Sequence, residues 1–270
     1  MFKKFKKWSE KRHEYAKNWK KLTGGKVMGY FCTYVPEEIL YAAEILPVRI
    51  LGSHEPQDVT EPHIFSMFCP FCRDCLAQGL QGKYDYLDGI MMAQSCLHIR
   101  QAFTSWQLHI PVDFSYYLNM PHHVQSPRSY QYLTGELNSF KKSIEEWIGK
   151  TITDHDLDKG IEIMNTNRRL TKRLYELRKR DNPPITGLDA MYLVLSSQLV
   201  DKREHNRVLD STLQKITRDN SNSSHSYRLM ILGSENDDTG FIKMVESLGA
   251  LFVVDDHCTG TRYFWNEVIP

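Results

Sequence analysis

Short apolar runs alternate with amphipathic stretches along the first half of the chain. The apolar runs are rich in β-prone residues and predict strands at 27–32, 47–52, 86–92 and 112–118. Helices are predicted at 36–46 and 70–81, each opening on a proline, which is favourable in a first helical turn. This alternation indicates a parallel α/β sheet that binds ligands at the carboxyl ends of its strands. We therefore expect a first α/β domain over residues 26–128.

From about residue 129 the pattern becomes helical. The stretch at 153–156 predicts a helix cap, and the helix should continue to Lys179. Its charged residues are expected to form a solvated face, comprising Lys172, Arg173, Glu176, Arg178 and Lys179. We expect a helical segment over 129–225 that ends in a flexible polar link, Asp219 to Ser224.

A second α/β unit is predicted from residue 226 onwards. Strands are expected at 227–233 and 250–256, with a helix at 239–248 between them. Two strands and one helix cannot bury both faces of an open sheet, so we expect residues 226–270 to be the start of a domain in a C-terminally truncated chain. The predicted fold class is α/β, with two Rossmann-like parallel-sheet domains, an N-terminal helix, a helical middle segment and an incomplete second domain.

The first 25 residues are basic and amphipathic. Aromatic residues recur there at helical spacing and predict an N-terminal helix over 1–25 that packs on the protein or a partner, a membrane-surface helix being the alternative. No apolar run suits a signal peptide or reaches the roughly 18 residues of a membrane span, so we expect a cytoplasmic protein. The net charge of +1 favours neither nucleic acid nor membrane as a partner.

Four of the six cysteines lie close together in sequence. Cys69, Cys72 and Cys75 form a C-x2-C-x2-C run, and Cys96 follows. Thiols gathered in this way, without an export signal, typically bind a metal or perform redox chemistry. The run begins like the bacterial ferredoxin pattern but lacks its fourth cysteine and following proline. A zinc site would need a second close pair, and His98 is the only candidate beside Cys96. An iron–sulfur cluster is therefore the favoured interpretation of these cysteines. The alternatives are a zinc site, a thiol redox couple and inert buried cysteines.

The predicted elements place some of these thiols together. Cys69 precedes a helix and Cys96 follows a strand, so both are expected at the same edge of the sheet. Cys32 also follows a strand and could face the same crevice.

Several separated motifs, in a consistent order, resemble the 2-hydroxyacyl-CoA dehydratase and benzoyl-CoA reductase family. They are YFCTYVPEEI at 30–39, LPVR at 46–49, Cys69-Pro70, Ser95-Cys96, GSE at 233–235, and GA at 249–250 with DDHCTGTR at 255–262. The segments YLNMPHH at 117–123 and TGTRYFW at 259–265 resemble the cluster-bearing B or C subunit of benzoyl-CoA reductase in particular. The match runs from about Val27 to the end of the chain.

The resemblance implies a [4Fe–4S] cluster held by three cysteines. Two of the family's ligand positions match Cys69 and Cys96, and the third is expected beyond Pro270. Cys72 and Cys75 match no shared ligand and are interpreted as nearby thiols, while Cys32 and Cys258 lie in matching motifs without a ligand role. Loops after the second-domain strands, including Asp255 and Asp256, could help to place a coenzyme A thioester.

The resemblance also implies a function and partners. The expected function is that of a subunit of an ATP-dependent benzoyl-CoA (aryl-CoA) reductase. Its partners would be a homologous cluster-bearing subunit, an ATP-hydrolysing iron–sulfur activator carrying ATP and Mg, ferredoxin as electron donor, and an acyl-CoA substrate. This chain has neither a phosphate loop nor a G-x-G-x-x-G turn. The alternatives are a 2-hydroxyacyl-CoA dehydratase subunit, which eliminates water without net reduction, and a non-catalytic zinc-stabilised scaffold.

Reduction of an aromatic ring also requires protons. Glu38, which matches the glutamate of the family's Pro-x-Glu motif, is one candidate proton handler, and His98, His122 and His123 are the others. A glutamate in a first helical turn can instead favour the helix dipole, and the histidine pair can cap a loop.

Overall fold

Parallel strands joined by helices form the framework of this chain, and the predicted α/β class is confirmed. The computed structural model describes residues 2–216 and 227–269. The chain divides into two compact units. One is the Ala16–Gly160 unit, and the other is a discontinuous unit made of Met1–Tyr15 and Ile161–Pro270. The predicted flexible link from Asp219 to Ser224 lies outside the described residues.

The helices and strands follow the predicted order closely. The strands are β1 (Val27–Tyr30), β2 (Leu46–Arg49), β3 (Gly89–Ala93), β4 (Phe114–Leu118), β5 (Tyr227–Leu232) and β6 (Ala250–Asp256). The helices are α1 (Lys3–Glu10), α2 (Arg12–Thr23), α3 (Glu37–Ala42), α4 (Pro70–Leu80), α5 (Leu97–His109), α6 (Pro127–Ile148), α7 (Asp154–Arg178), α8 (Gly187–Ser197), α9 (Lys202–Ile216), α10 (Thr239–Ser247) and α11 (Thr261–Phe264). A short 3₁₀ turn covers Asp58–Thr60.

The sheet of the Ala16–Gly160 unit is parallel throughout, with strand order β2-β1-β3-β4. The central strands β1 and β3 are buried at every position, which explains their uninterrupted apolar sequences. All four strands point the same way, so the loops after them share one edge of the sheet. This edge receives the loops that contain Cys32, Cys96 and His122.

Helix α6 covers one face of this sheet. Its Phe140 and Ile144 are fully buried in the core. Trp147 stacks on Phe114 of β4 with 4.6 Å between ring centroids, and Phe140 lies 4.9 Å from the Tyr116 ring.

Helices α4 and α5 pack against each other. Trp106 of α5 is fully buried and lies against Gly79 of α4, where an added Cβ would come within 2.6 Å of the indole ring. The missing side chain therefore permits the close approach of the two helices. Phe31, just after β1, meets Trp106 edge to face at 5.5 Å, which links the pair to the sheet.

The predicted N-terminal helix is two helices in the structure. The chain leaves helical geometry at Lys11 (φ −113°, ψ 34°), which ends α1 before α2 begins. Phe5 and Trp8 of α1 are buried, as the aromatic stripe predicts, and their rings lie 5.2 and 5.8 Å from that of His205. None of the helices within residues 2–216 and 227–269 has the length and apolar character needed to span a membrane.

The prediction of a solvated charged face on α7 is wrong at Arg178. This side chain is only 2% exposed, and its Nη1 lies 2.9 Å from Oδ2 of Asp255. Its Nη2 donates to the Phe252 carbonyl at 2.9 Å, and Tyr175 donates to the same Asp255 oxygen at 2.7 Å. Asp255, weighed above as a ligand-placing residue, is thus a buried partner of α7. Helical periodicity alone did not reveal an acid 77 residues further along the chain.

His205 of α9 is fully buried as a neutral imidazole. Its Nδ1 accepts from Asn167 Nδ2 at 3.0 Å, and its Nε2–H donates to the Leu193 carbonyl at 3.2 Å. Burial, with the nearby Lys202 charge, lowers the pKa of His205 to about 3, although the bond to Leu193 opposes the shift.

The buried imidazole predicts an acid-sensitive fold. As the pH falls from the usual histidine pKa near 6.5 towards about 3, the unfolded chain binds a proton that the folded chain does not. We expect His205 to account for a loss of about 2 kcal/mol in unfolding free energy between pH 7 and pH 5. Urea titrations at pH 7 and pH 5 should show that His205→Asn does not lose this unfolding free energy. The exposed variant His155→Ala should keep it, and equal pH slopes in wild type and His205→Asn would contradict the expectation.

Candidate functional site

Cys69 and Cys96 occupy equivalent positions, each directly before a helix. Cys69 is the N-cap of α4, with Pro70 at its first position, and Cys96 is the N-cap of α5. The sulfur of Cys96 accepts the backbone N–H of Ile99 at 3.5 Å. The N-terminal ends of helices favour negative charge, so both positions suit a thiolate.

His98 connects the two cysteine-bearing segments. Its Nδ1 accepts the backbone N–H of Cys69 at 2.8 Å, across 29 residues of sequence. Phe68 packs edge to face on the imidazole at 4.9 Å. A neutral imidazole with an accepting Nδ1 carries its proton on Nε2.

The thiol of Cys72 hydrogen-bonds to the sulfur of Cys96. The hydrogen bond from Cys72 is the main cause that lowers the pKa of Cys96 to about 5. Burial opposes the shift, while the backbone N–H groups of Ile99 and His98 assist it. The same bond, with burial and the neighbouring thiols, raises the pKa of Cys72. The proton of this pair therefore resides on Cys72. Cys96 is left as a thiolate, the form in which cysteine binds metals.

The remaining thiols lie in different surroundings. Cys75 is fully buried and donates to the Ile50 carbonyl at 3.7 Å, a core position. Cys32 is buried in the loop after β1. Cys258 belongs to the discontinuous unit, where its backbone N–H donates to the Ser234 carbonyl at 2.9 Å. None of the six cysteines, all of which the structure describes, forms a disulfide.

The candidate proton handlers differ in their surroundings. Glu38 is buried in the first turn of α3, beside Glu37, which accepts from the Tyr30 hydroxyl at 3.0 Å. His122 is exposed, and its Nε2 lies 2.7 Å from Nε2 of Gln94, two residues before Cys96.

His123 is also exposed, and its contacts belong to the start of α6. Its carbonyl accepts from the backbone N–H of Ser126 at 3.1 Å and from the hydroxyl of Ser129. These bonds agree with a loop-capping role for the main chain at this position.

Gln94 is a residue that the sequence reasoning missed. Its side chain contacts His122, and its backbone N–H donates to the Leu118 carbonyl at 2.9 Å. It therefore joins the loops after β3 and β4. Its place directly after a buried strand, beside Cys96, is the signal that could have identified it.

The donors at this site have the chemistry of iron–sulfur ligands. Cys69 and Cys96 offer sulfur at helix N-termini, and the low pKa of Cys96 supplies the thiolate form. Within residues 2–216 and 227–269, however, no three His, Cys, Asp or Glu side chains are grouped closely enough to hold a metal ion. The donors fit two positions of a cluster, and the described residues do not complete its ligand set.

Comparison with known proteins places this chain in a family. Residues 32–270 match the family model described as 2-hydroxyglutaryl-CoA dehydratase, D-component. The chain belongs to this family, which confirms the resemblance drawn from its motifs.

Individual relatives are similar over nearly the whole chain. This chain is 30% identical over 258 residues to the C subunit of benzoyl-CoA reductase from Thauera aromatica. The alignment covers 94% of this chain and 67% of that protein. The chain is 24% identical over 263 residues to the (R)-phenyllactyl-CoA dehydratase beta subunit of Clostridium sporogenes, covering 97% and 70%. It is 23% identical over 250 residues to the beta subunit of (R)-2-hydroxyglutaryl-CoA dehydratase from Acidaminococcus fermentans, covering 90% and 65%. The chain thus spans about two thirds of the length of these relatives.

Proposed function

We propose that this chain is a cluster-bearing subunit of an ATP-dependent benzoyl-CoA (aryl-CoA) reductase. The observation that carries the proposal is the convergence of Cys69 and Cys96 at two helix N-termini joined by His98. The 30% identity to the C subunit of a benzoyl-CoA reductase favours this reaction over others in the family. A bound [4Fe–4S] cluster would supply one-electron transfer at low potential.

The residues of this chain would hold and tune that group. Cys69 and Cys96 would bind it as thiolates, with a third cysteine ligand expected beyond Pro270. The N–H groups at the starts of α4 and α5, with the Cys72 thiol, stabilise the negative charge on the ligand sulfurs.

Protons would come from side chains near the sheet edge. The imidazole of His98 keeps its proton on Nε2, because Nδ1 accepts from Cys69. His122, joined to Gln94 at the same edge of the sheet, is a second candidate for proton delivery. Glu38 and His123 complete the candidates for proton delivery.

The proposal includes a set of partners. The named relatives are subunits, so we expect this chain to work beside other subunits. These are a homologous cluster-bearing subunit and an ATP-hydrolysing iron–sulfur activator that carries ATP and Mg, with ferredoxin as electron donor and an acyl-CoA thioester as substrate. We also expect the complex to be cytoplasmic.

Cysteine variants test the ligand assignment. We expect Cys69→Ser and Cys96→Ser each to remove the iron that this chain contributes to the anaerobically purified complex, because serine replaces a soft thiolate by a hydroxyl. Iron and zinc analysis with electron paramagnetic resonance (EPR) would measure this. Cys258→Ser, in the other unit, is the matched control and should keep the full iron content. A colourless, zinc-loaded wild-type complex would support the zinc scaffold instead.

A 2-hydroxyacyl-CoA dehydratase subunit is the second candidate. The family model and the two dehydratase relatives, which match 97% and 90% of this chain, favour it. Electron counting separates the two functions. A reductase consumes electrons in stoichiometric proportion to benzoyl-CoA, whereas a dehydratase needs them only in catalytic amounts with a hydroxyacyl-CoA. Catalytic electron use would overturn the reductase proposal.

A further inference from the structure

The segment that leads into Cys69 is largely exposed. Phe65 and Met67 have 75% and 85% of their surface accessible. Helix α4 begins at Pro70, and Cys69 is the N-cap of this helix. The backbone N–H of Cys69 therefore lies outside the hydrogen-bond ladder of the helix. The position of this cysteine therefore depends on contacts from elsewhere in the chain.

His98 provides such a contact, and it contacts Cys96 as well. The imidazole Nδ1 accepts the Cys69 N–H at 2.8 Å, and Phe68 packs against the ring. The backbone N–H of His98 hydrogen-bonds to the sulfur of Cys96. One residue thus bonds to the main chain of the first cysteine and to the sulfur of the second.

The bond to Nδ1 also limits what this imidazole can do. A nitrogen that accepts an N–H bond has its lone pair engaged and cannot bind a metal ion at the same time. The other nitrogen, Nε2, lies on the far side of the ring from Cys69 N–H. The arrangement resembles the outer hydrogen bonds that orient the ligands of metal sites.

We propose that His98 is a positioning residue that fixes Cys69 relative to Cys96 through its Nδ1 atom. The inference rests on the proposed function only in taking the group bound by the two thiols to be a cluster. The hydrogen bond between His98 and Cys69 is a feature of this chain by itself. The two loops are joined before any cluster binds, so the ligands are preorganised for it.

Variants of different shape at position 98 test this role. Asparagine places its Oδ1 near the position of Nδ1, whereas glutamine places its oxygen near that of Nε2. His98→Asn should therefore restore the bond that His98→Ala removes, and His98→Gln should not. His109→Ala, at the exposed end of the same helix, is the matched control.

The first readout needs no cluster. Selective 15N-cysteine labelling of the metal-free chain gives six amide signals, one for each cysteine, and Cys69→Ser identifies the signal of Cys69. In His98→Ala and His98→Gln we expect this amide to lose its hydrogen-bonded shift and to exchange about tenfold faster with solvent. In His98→Asn and His109→Ala it should remain close to wild type. An unchanged Cys69 amide in His98→Ala would overturn the proposal.

The second readout is the cluster of the assembled complex. We expect His98→Ala and His98→Gln to shift the EPR signature and to lower iron retention, and His98→Asn to restore both. If the three variants behave alike while the Cys69 amide responds as expected, the bond exists but does not position the ligands, and the proposal fails. A wild-type complex without iron refutes the proposed function, yet leaves the amide measurement intact.

Discussion

Replacing Arg178 by methionine is expected to lower the free energy of unfolding by about 3–5 kcal/mol, because it leaves a buried carboxylate without its cation. Arg178 and Asp255 are both buried, with 2.9 Å between their charged atoms. Asp255 also holds the start of α11, since its Oδ1 accepts the Thr261 N–H at 2.9 Å. The change should therefore loosen α7, β6 and α11 together. Urea unfolding of the full chain, followed by circular dichroism, measures the loss.

Two further variants make this result specific. Lys179 directly follows the end of α7, and Lys179→Ala removes a side chain that is 68% exposed. This change should alter the free energy of unfolding by no more than about 0.5 kcal/mol. The double variant Arg178→Met with Asp255→Asn removes both charges and should recover part of the loss. If Arg178→Met and Lys179→Ala lower the free energy of unfolding equally, the buried pair of Arg178 and Asp255 contributes little to stability.

Gly160→Ala should destabilise the chain by about 1–3 kcal/mol, although alanine is the better helix former. Gly160 lies in α7 against the backbone of α3, where an added Cβ would overlap the Glu38 carbonyl oxygen and come within 3.2 Å of the Ala42 nitrogen. These are backbone atoms, so α3 as a whole must shift. Because α3 carries Glu38, we also expect lower activity of the assembled complex.

Gly135→Ala provides the matched control. Gly135 lies in α6, and nothing lies within 4 Å of the position of its Cβ. This substitution should stabilise the chain by about 1 kcal/mol, since alanine loses less backbone entropy in a helix. Chemical unfolding of both variants compares the two effects directly. If Gly160→Ala is as stable as Gly135→Ala, the close approach of α7 and α3 is not required.

Many elements of this fold could be read from local patterns. Strand β6 was predicted with the bounds that the structure has, and α4 was predicted to within one residue of its end. The bounds of β6 could be predicted because a run of apolar, β-prone residues ends at two aspartates, which is typical of a strand. The proline at its first position marks the start of α4 in the sequence itself.

The sequence was less informative where a charge faces another part of the chain. The charges of α7 suggested a solvated face, yet Arg178 is buried and Lys179 is exposed. A helical sequence pattern separates the buried face from the solvated face only when the buried residues are apolar. An arginine that is buried in an ion pair looks the same in the sequence as a solvated one.

The sequence by itself determined the α/β class, the order of most elements, the family, and the region in which sulfur chemistry should be sought. These features depend on local periodicity and on motifs of adjacent residues. Only the tertiary structure decided that Cys72 donates to Cys96 and that His98 binds the backbone of Cys69. Both contacts join α4 to α5 across more than twenty residues, and they depend on how closely these helices pack at Gly79 and Trp106. Packing of that kind is set by the summed shapes of many side chains, and no local pattern encodes it.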